Sequence, residues 1–262
     1  MSERDEIAIA NKRLWEKEVR EGCGYTIPWL DLDINLLKRY ASGELDPTHD
    51  PVFAYIPSFL LDVKDKDVLC LALGGGQQSA VFGLLGARVT VLDLADGMIE
   101  GDRKAAAHYG YNVTAIQGDM RDLSCLEDET FDYVQGGFTC YVPDVREVYS
   151  EVARVLRQGG VYASAHEDPG LHFVEWDGEA YRITRPFAEK IEHREDGGIE
   201  FRHYMNDIFN GLIEAGFSIQ RVHEFPHYKP PDPMALPGSW SHQQTYFAGS
   251  GFTVVAEKIY CL

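Results

Sequence analysis

Short apolar runs and longer amphipathic segments alternate through the middle of the chain. A continuous apolar run such as residues 68–73 is typical of a strand buried on both faces of a parallel sheet, whereas apolar residues at helical spacing indicate a helix with one buried face. The predicted strands cover residues 67–73, 88–94, 112–117, 131–134 and 160–166. The predicted helices among them cover residues 77–85, 96–109 and 145–156. This alternation predicts an α/β fold with a doubly wound parallel sheet and helices on both faces.

The N-terminal part and a segment near residue 180 carry different patterns. Residues 4–21 place apolar side chains at helical spacing among charges, which predicts an amphipathic helix, and residues 22–57 are irregular and aromatic. We expect a helical N-terminal cap over residues 1–60, because this stretch is too short for a core of its own, and a main domain over residues 61–262. Alternating aromatic residues at about 171–203 predict a β insert in that domain, either a hairpin or a lid.

The last part of the chain predicts a change of strand direction. Residues 206–215 are patterned as a helix, and residues 217–225 and 252–258 as the final two strands. Five prolines between residues 226 and 237 exclude a crossover helix between these strands. Strands joined without such a crossover pair antiparallel, so we expect a mostly parallel seven-stranded sheet with an antiparallel last strand.

Composition and charge narrow the class of partner. Of the 262 residues, 45% are hydrophobic, which excludes a disordered chain. The formal net charge is −18, which disfavours nucleic acid or anionic lipid as a partner. No apolar run reaches the length of a membrane helix, and the first residues are polar, so we expect no membrane insertion and a cytoplasmic location. The five cysteines show no CxxC spacing, which argues against a disulfide framework and a clustered zinc site.

A glycine-rich turn follows the first predicted strand. Gly74, Gly75 and Gly76 allow a ligand to approach the backbone, and the next helix offers free N–H groups at its N-terminus. Asp93 ends the second strand, where a carboxylate can accept hydrogen bonds from both hydroxyls of a ribose. Together they predict a cofactor that contains adenosine. The alternative is a tight turn beside an ordinary surface aspartate.

A second acid distinguishes between cofactors. Gly118, Asp119 and Met120 follow the third strand, where the carboxylate can accept from the adenine amino group while Met120 packs on the ring. A dinucleotide fingerprint G-x-G-x-x-G would place glycine at position 79, which is Ser79 here. Both features disfavour a dinucleotide.

At these positions the sequence resembles the class I S-adenosylmethionine-dependent methyltransferases. The matching segments are residues 68–76, Asp93 with Met98, residues 118–120, Phe131 with Asp132, Pro143 with Asp144, residues 151–160 and residues 204–217. The resemblance is strongest to small-molecule enzymes of the quinone-biosynthesis type. It implies a Rossmann-like sheet with strand order 3-2-1-4-5-7-6 and S-adenosyl-L-methionine as cofactor.

The resemblance also implies a set of cofactor-binding residues. They are Ala72, Gly74, Gly75, Gly76, Gln78, Asp93, Leu94, Met98, Asp119, Met120 and Gln135. The sequence departs from the family at Cys70 and Ala72, where an acid and a glycine are usual. The acid normally helps to hold the methionine amino end, so Gln77, Gln78 or a carbonyl of the 72–74 loop is the expected substitute.

Candidate catalytic residues lie where the fourth and fifth strands end. We select His166, which ends strand five, and Tyr141, which follows strand four, because a hydroxyl acceptor needs a base in the crevice. The other candidates are Glu167 and Asp168, which follow strand five, and His203 and Tyr204, which open the helix before strand six. Each has a hydrogen-bonded pocket wall as its alternative role. The aromatic residues Tyr25, Trp29 and Tyr55 of the cap either cover the cofactor, line the acceptor site or pack in the core.

The sequence therefore predicts a methyltransferase that acts on a small, neutral or cationic acceptor. The alternatives are an NAD(P)-dependent oxidoreductase and a protein that binds S-adenosylmethionine without catalysis. Nucleic-acid methylation is disfavoured by the net charge of −18. No metal is expected, because His223 and His227 alone have i, i+4 spacing and Pro226 breaks a helix between them. The acceptor atom and the oligomeric state are left open by the sequence.

Overall fold

One seven-stranded sheet carries the fold. The computed structural model describes residues 3–45, 56–224, 236–237, 242–243 and 251–259. The strands are β1 (Asp67–Leu71), β2 (Arg88–Asp93), β3 (Val113–Gln117), β4 (Phe131–Phe138), β5 (Leu156–Glu167), β6 (Val174–Trp176), β7 (Tyr181–Ile183), β8 (Ile191–His193), β9 (Ile199–Phe201), β10 (Phe217–Glu224) and β11 (Gly251–Lys258). The helices are α1 (Glu3–Glu21), α2 (Ile34–Ala41), α3 (Gln78–Leu84), α4 (Asp96–Tyr109), α5 (Val145–Val155) and α6 (Met205–Glu214).

The strand order confirms the prediction. The main sheet runs β3-β2-β1-β4-β5-β11-β10, which is the expected order 3-2-1-4-5-7-6. All pairs among β1 to β5 are parallel, whereas β11 is antiparallel to both β5 and β10. Four of the five prolines that predicted this reversal lie outside the described residues, and Pro237 is described.

Three strand boundaries differ from the prediction by two or more residues. β1 ends at Leu71 rather than at residue 73, because Ala72 turns the chain with a φ of 53°. β4 continues past residue 134 because Gly136 pairs with both Leu71 and Ser164. β5 begins at Leu156 rather than at residue 160, because Leu156 pairs with Phe131 ahead of a register shift.

Two hydrophobic layers enclose the sheet. On β1, Leu69 and Leu71 pack in the layer formed with α5 and α6, while Val68 and Cys70 pack in the layer formed with α2 and α3. A strand with apolar neighbours on both faces has no polar alternation, which explains the continuous apolar run.

The N-terminal helix contacts α4 through polar and apolar groups. Glu16 Oε1 accepts hydrogen bonds from Asp96 N at 2.6 Å and Gly97 N at 3.3 Å, so a side chain of α1 caps the N-terminus of α4. A Cβ on Gly97 would lie 2.8 Å from Val19 Cγ1, so glycine permits the close approach of the two helices. The division of the chain at residue 60 stays a prediction.

The insert contains two hairpins where the sequence predicted one hairpin or a lid. β6 pairs with β7 and β8 pairs with β9, both antiparallel, and neither joins the main sheet. Within the described ranges, no helix combines the length and the apolar character needed to cross a bilayer.

Candidate functional site

The glycine-rich loop between β1 and α3 is packed closely against α4. A Cβ on Gly74 would lie 2.7 Å from Met98 Cβ, and one on Gly76 would lie 2.4 Å from Gly101 O. Gly75 and Gly76 also have positive φ values of 104° and 79°. Larger residues would therefore both clash and strain the backbone.

Asp93 is held at the end of β2 by two backbone groups. Its side chain accepts hydrogen bonds from Gly74 N at 3.1 Å and from Ala95 N at 2.9 Å. The residue is 8% exposed, and burial raises the pKa of its carboxyl to about 6 although these hydrogen bonds oppose the shift. The carboxylate is thus fixed beside the loop by backbone donors.

Asp102 is a second buried carboxylate at this loop, and the sequence reasoning missed it. Its oxygens accept from Gly75 N at 3.2 Å, Gly76 N at 3.0 Å and Ser79 Oγ at 2.5 Å. Burial is the main reason that its pKa is raised to about 7. Helical spacing could have identified Asp102, because an acid four residues after Met98 falls on the buried face of α4.

A cavity lies beyond the carboxyl ends of β1, β2 and β3. It brings together several predicted cofactor residues, namely Ala72, Leu94, Asp119 and Met120, with the predicted catalytic residue Tyr141. The other lining residues are Ala8, Asn11, Leu92, Gly118, Arg121 and Val142. Acidic, apolar and backbone groups therefore converge at the edge where parallel α/β sheets bind ligands.

Asp119 is oriented by a neighbouring arginine. Arg121 Nε donates to Asp119 Oδ1 at 3.0 Å and Nη2 donates to Oδ2 at 2.6 Å, while the Arg121 side chain is 2% exposed. A bidentate contact of this kind fixes the plane of the carboxylate. The sequence analysis did not select Arg121.

Helix α1 forms one wall of the cavity. Ala8 and Asn11 line it from α1. Asn11 Nδ2 also donates to Tyr141 O at 3.2 Å, and the Trp15 and Tyr141 rings meet edge to face with centroids 5.7 Å apart. The N-terminal helix thus contacts both the cavity and the segment that follows β4.

The glutamines do not share one environment. Gln77 Nε2 donates to Gly24 O at 3.0 Å and Ile27 O at 2.9 Å, so it joins the cap to the glycine loop. Gln78 is buried at the start of α3, and Gln135 is buried on β4, where it accepts from Tyr133 Oη. In the described part of the chain, seven of the predicted cofactor residues do not line the cavity, namely Gly74, Gly75, Gly76, Gln78, Asp93, Met98 and Gln135.

His166 lies in the layer between β5 and α5. It is 2% exposed, with its ring between Tyr149 and Phe252, and its Nδ1 lies 3.1 Å from Thr139 Oγ1. Burial, assisted by nearby His203, lowers the pKa of His166 to about 3. The imidazole is consequently neutral at physiological pH and is a weak base.

The other candidate bases are engaged in structural contacts. His203 Nε2 lies 3.1 Å from Thr139 O and 2.9 Å from Val142 O, which places a ring N–H between two carbonyls. Tyr204 stacks on Phe187 and donates to its carbonyl, and Asp168 accepts from Gly170 N. Burial raises the pKa of Tyr141 well above its usual range, so its phenol stays protonated.

The predicted cap aromatics fall in different places. Trp29 N donates to Gly76 O at 3.2 Å, so this residue contacts the glycine loop, while Tyr25 is largely exposed. Tyr55 and His227 lie outside the described residues. Among the residues that are described, no three His, Cys, Asp or Glu side chains gather as metal ligands would.

Comparisons with known proteins agree on one family. Residues 69–164 match the model of a methyltransferase domain. The chain is 29% identical over 235 residues to an uncharacterized methyltransferase, YbaJ, of Bacillus subtilis, covering 83% of this chain and 90% of that protein. It is 31% identical over 165 residues to a ubiquinone biosynthesis O-methyltransferase of Xanthomonas oryzae, covering 60% of this chain and 67% of that protein.

The fold comparison gives a similar result. The structure of an S-adenosylmethionine dependent methyltransferase from Mesorhizobium loti superposes with a TM-score of 0.60 at 22% identity, covering 84% of this chain and 99% of that one. At this identity the match concerns the fold.

Proposed function

The chain belongs to the class I S-adenosylmethionine-dependent methyltransferases, and from this premise we propose that it methylates a small-molecule acceptor. S-adenosylmethionine is its cofactor. The observation that carries the proposal is the cavity beyond β1, β2 and β3, closed on one side by α1. A cavity at the carboxyl ends of parallel strands suits a metabolite better than a polymer.

The residues present fit a nucleoside cofactor. The glycine loop packs so closely on Met98 and Gly101 that a Cβ at Gly74 or Gly76 would clash, and Asp93 stands beside it as an acceptor for hydroxyl groups. Asp119 stands at the end of the next strand as an acceptor for an amino group, with Leu92 and Met120 as apolar neighbours. This order of groups matches a methionine end, a ribose and an adenine.

We assign the cofactor-binding residues accordingly. Asp93 holds the ribose, Asp119 accepts from the adenine amino group, and Leu94, Met98 and Met120 flank the nucleoside. The methionine end lies along the backbone of Ala72, Gly74, Gly75 and Gly76. Gln78 and Gln135 remain assigned through the family resemblance and act from buried positions next to the loop and β4.

When bound, the cofactor would supply a methyl group on a sulfonium sulfur, and this sulfur would leave as a thioether when the acceptor attacks the methyl carbon in line. The chain itself supplies alignment and exclusion of water. Ala8 and Asn11 close the cavity from α1, and Tyr141 lines it with a protonated phenol that can donate to the acceptor. His166, the other predicted catalytic residue, acts in this proposal by orienting Thr139, since its lowered pKa does not suit a base.

Two features support a small acceptor over nucleic acid. The net charge of −18 opposes a phosphate backbone. A relative that shares 31% identity is named for ubiquinone biosynthesis, which is consistent with a small-molecule acceptor. We place the enzyme in the cytoplasm, in keeping with free thiols at Cys23, Cys70, Cys125 and Cys140.

Two measurements test the proposal. Incubation with S-adenosylmethionine and fractionated metabolite pools should yield a product heavier by one methyl group, and heat-treated protein is the control. S-adenosylhomocysteine should raise the melting temperature with concentration, whereas NAD and NADP should not. A shift with NAD or NADP alone would favour the oxidoreductase. Binding of S-adenosylhomocysteine without turnover on any pool would favour a non-catalytic binding protein.

A further inference from the structure

The carboxylate of Asp102 serves no step in the function proposed above, although it lies directly beneath the glycine loop. It is fully buried on α4. Its three partners are the backbone N–H groups of Gly75 and Gly76 and the hydroxyl of Ser79, at 3.2, 3.0 and 2.5 Å. A buried carboxylate is costly unless such donors surround it, so the site is built around the charge.

The loop depends on this side chain for its polar contacts. Two consecutive N–H groups, at glycines with φ values of 104° and 79°, converge on one carboxyl group. A carboxylate has acceptors on both oxygens and no donor, whereas an amide would present N–H to one of these groups. The conformation of the loop is therefore matched to a carboxyl group, rather than an amide, at this position.

Close backbone packing couples the position of the glycine loop to that of α4. A Cβ on Gly101, the neighbour of Asp102, would lie 2.7 Å from Gly75 O. One on Gly76 would lie 2.4 Å from Gly101 O. The loop and the helix thus touch on both sides of the carboxylate, and neither can shift without the other.

Cys70 lies on β1, in the hydrophobic layer that also holds Ile99 of α4. Its thiol is fully buried, and the nearby charge of Asp102 adds to burial in raising the pKa of that thiol. Position 70 is also where the sequence lacks the acid that its family resemblance leads one to expect.

We propose that Asp102 is the positioning residue of the glycine loop and supplies, from α4, the carboxylate that β1 lacks at Cys70. This inference rests on the proposed function, because the loop is assigned to the methionine end of the cofactor.

The charged and titratable neighbours of Asp102 make the idea measurable. Asp93 raises the pKa of Asp102, Ser79 lowers it, and Tyr111 Oη lies 3.2 Å from Ser79 Oγ. With Cys70 on the strand side, these groups accompany a carboxyl whose pKa is about 7. The α-ammonium group at the methionine end of the cofactor favours the ionised form. Binding should therefore release protons near neutral pH, and affinity should rise with pH.

Calorimetry with S-adenosylhomocysteine on the full chain tests this. Asp102→Asn should weaken binding about tenfold at pH 8, the scale of a hydrogen bond to a charged group, and should flatten the dependence on pH between 6 and 8. Glu100→Gln is the matched control, because Glu100 is on the same helix with its side chain 73% exposed. The control should bind as the wild type does. Asp102→Asn with wild-type affinity and pH profile would overturn the proposal.

A second pair of variants tests the exchange between positions 70 and 102. Asp102→Ala should lose affinity, and adding Cys70→Asp should recover most of that loss. An equal loss in the single and double variants would overturn the exchange.

A further measurement needs no variant. Titrations of the wild-type protein in two buffers of different ionisation enthalpy should show proton release at pH 7. Proton-neutral binding would contradict the role of Asp102 and leave the cofactor assignment intact, whereas a wild type that fails to bind would remove both.

Discussion

Asn11 on α1 and Ile199 on β9 exchange two hydrogen bonds. Asn11 Oδ1 accepts from Ile199 N at 2.8 Å, and Asn11 Nδ2 donates to Ile199 O at 3.0 Å. The same Nδ2 group donates to Tyr141 O at 3.2 Å. One amide therefore joins the N-terminal helix, the insert and the segment after β4 at the wall of the cavity.

Removal of this amide should loosen the wall. We predict that Asn11→Ala lowers the free energy of unfolding by about 1–3 kcal/mol, because it removes the Asn11 partners of the partly buried N–H and C=O of Ile199. Hydrogen exchange at Ile199 should speed up, and turnover should fall. Asn35→Ala, on the exposed side of α2, is the control. Unchanged exchange at Ile199 in the Asn11 variant would show that the contact does not hold the insert.

Asp93 should contribute directly to cofactor affinity. We predict that Asp93→Ala weakens the binding of S-adenosylhomocysteine by about 1.5–3 kcal/mol, the scale of hydrogen bonds to a charged group. Calorimetry measures the loss, with exposed Asp31→Ala as control. Equal affinity in the Asp93 variant and the wild type would remove this residue from the ribose site.

Asp119 and Arg121 should act as a pair. Asp119→Asn keeps one oxygen for the adenine amino group and should cause a modest loss of affinity, whereas Asp119→Leu should cost far more. Arg121→Met should also weaken binding, because it removes the bidentate contact that orients Asp119. Competition with an inosine analogue of S-adenosylhomocysteine checks the contact, since a carbonyl replaces the amino group. If Asp119→Asn and Asp119→Leu lose affinity equally, the side chain is only structural.

Stability should fall as pH rises through the titration of Asp102. Its pKa is about 7 in the folded chain against a reference of 3.8, so the folded state holds more protons than the unfolded state between these values. The stability contributed by the protonated form is complete below pH 3.8 and is lost as pH rises through 7. Urea unfolding of wild type and Asp102→Asn at pH 5 and pH 8 should show the wild type losing stability relative to the variant. A difference that stays constant with pH would contradict the shift.

The spacing of apolar and polar residues predicted most of the sheet, because strands and helices are marked by residues that are close together in the sequence. Helix α4 was placed at residues 96–109 and is observed there, ending at Gly110 with a φ of 78°. Asn11 could not be found in this way, since its partner lies 188 positions away and no short pattern records the contact. His166 was selected for its place at a strand end. Strand periodicity would have shown that it shares a face with Tyr162 and Ser164, toward α5.

The position of α1 has a kinetic consequence. Ala8 and Asn11 cover the cavity, and Glu16 holds the helix on the first N–H groups of α4. We expect the spent nucleoside to leave past this wall when the helix moves away from α4, so that departure of S-adenosylhomocysteine, rather than bond formation, limits the rate of turnover. Rapid mixing should show a burst of methylated product equal to the enzyme present, and a linear start would mean that the helix opens faster than the methyl group moves.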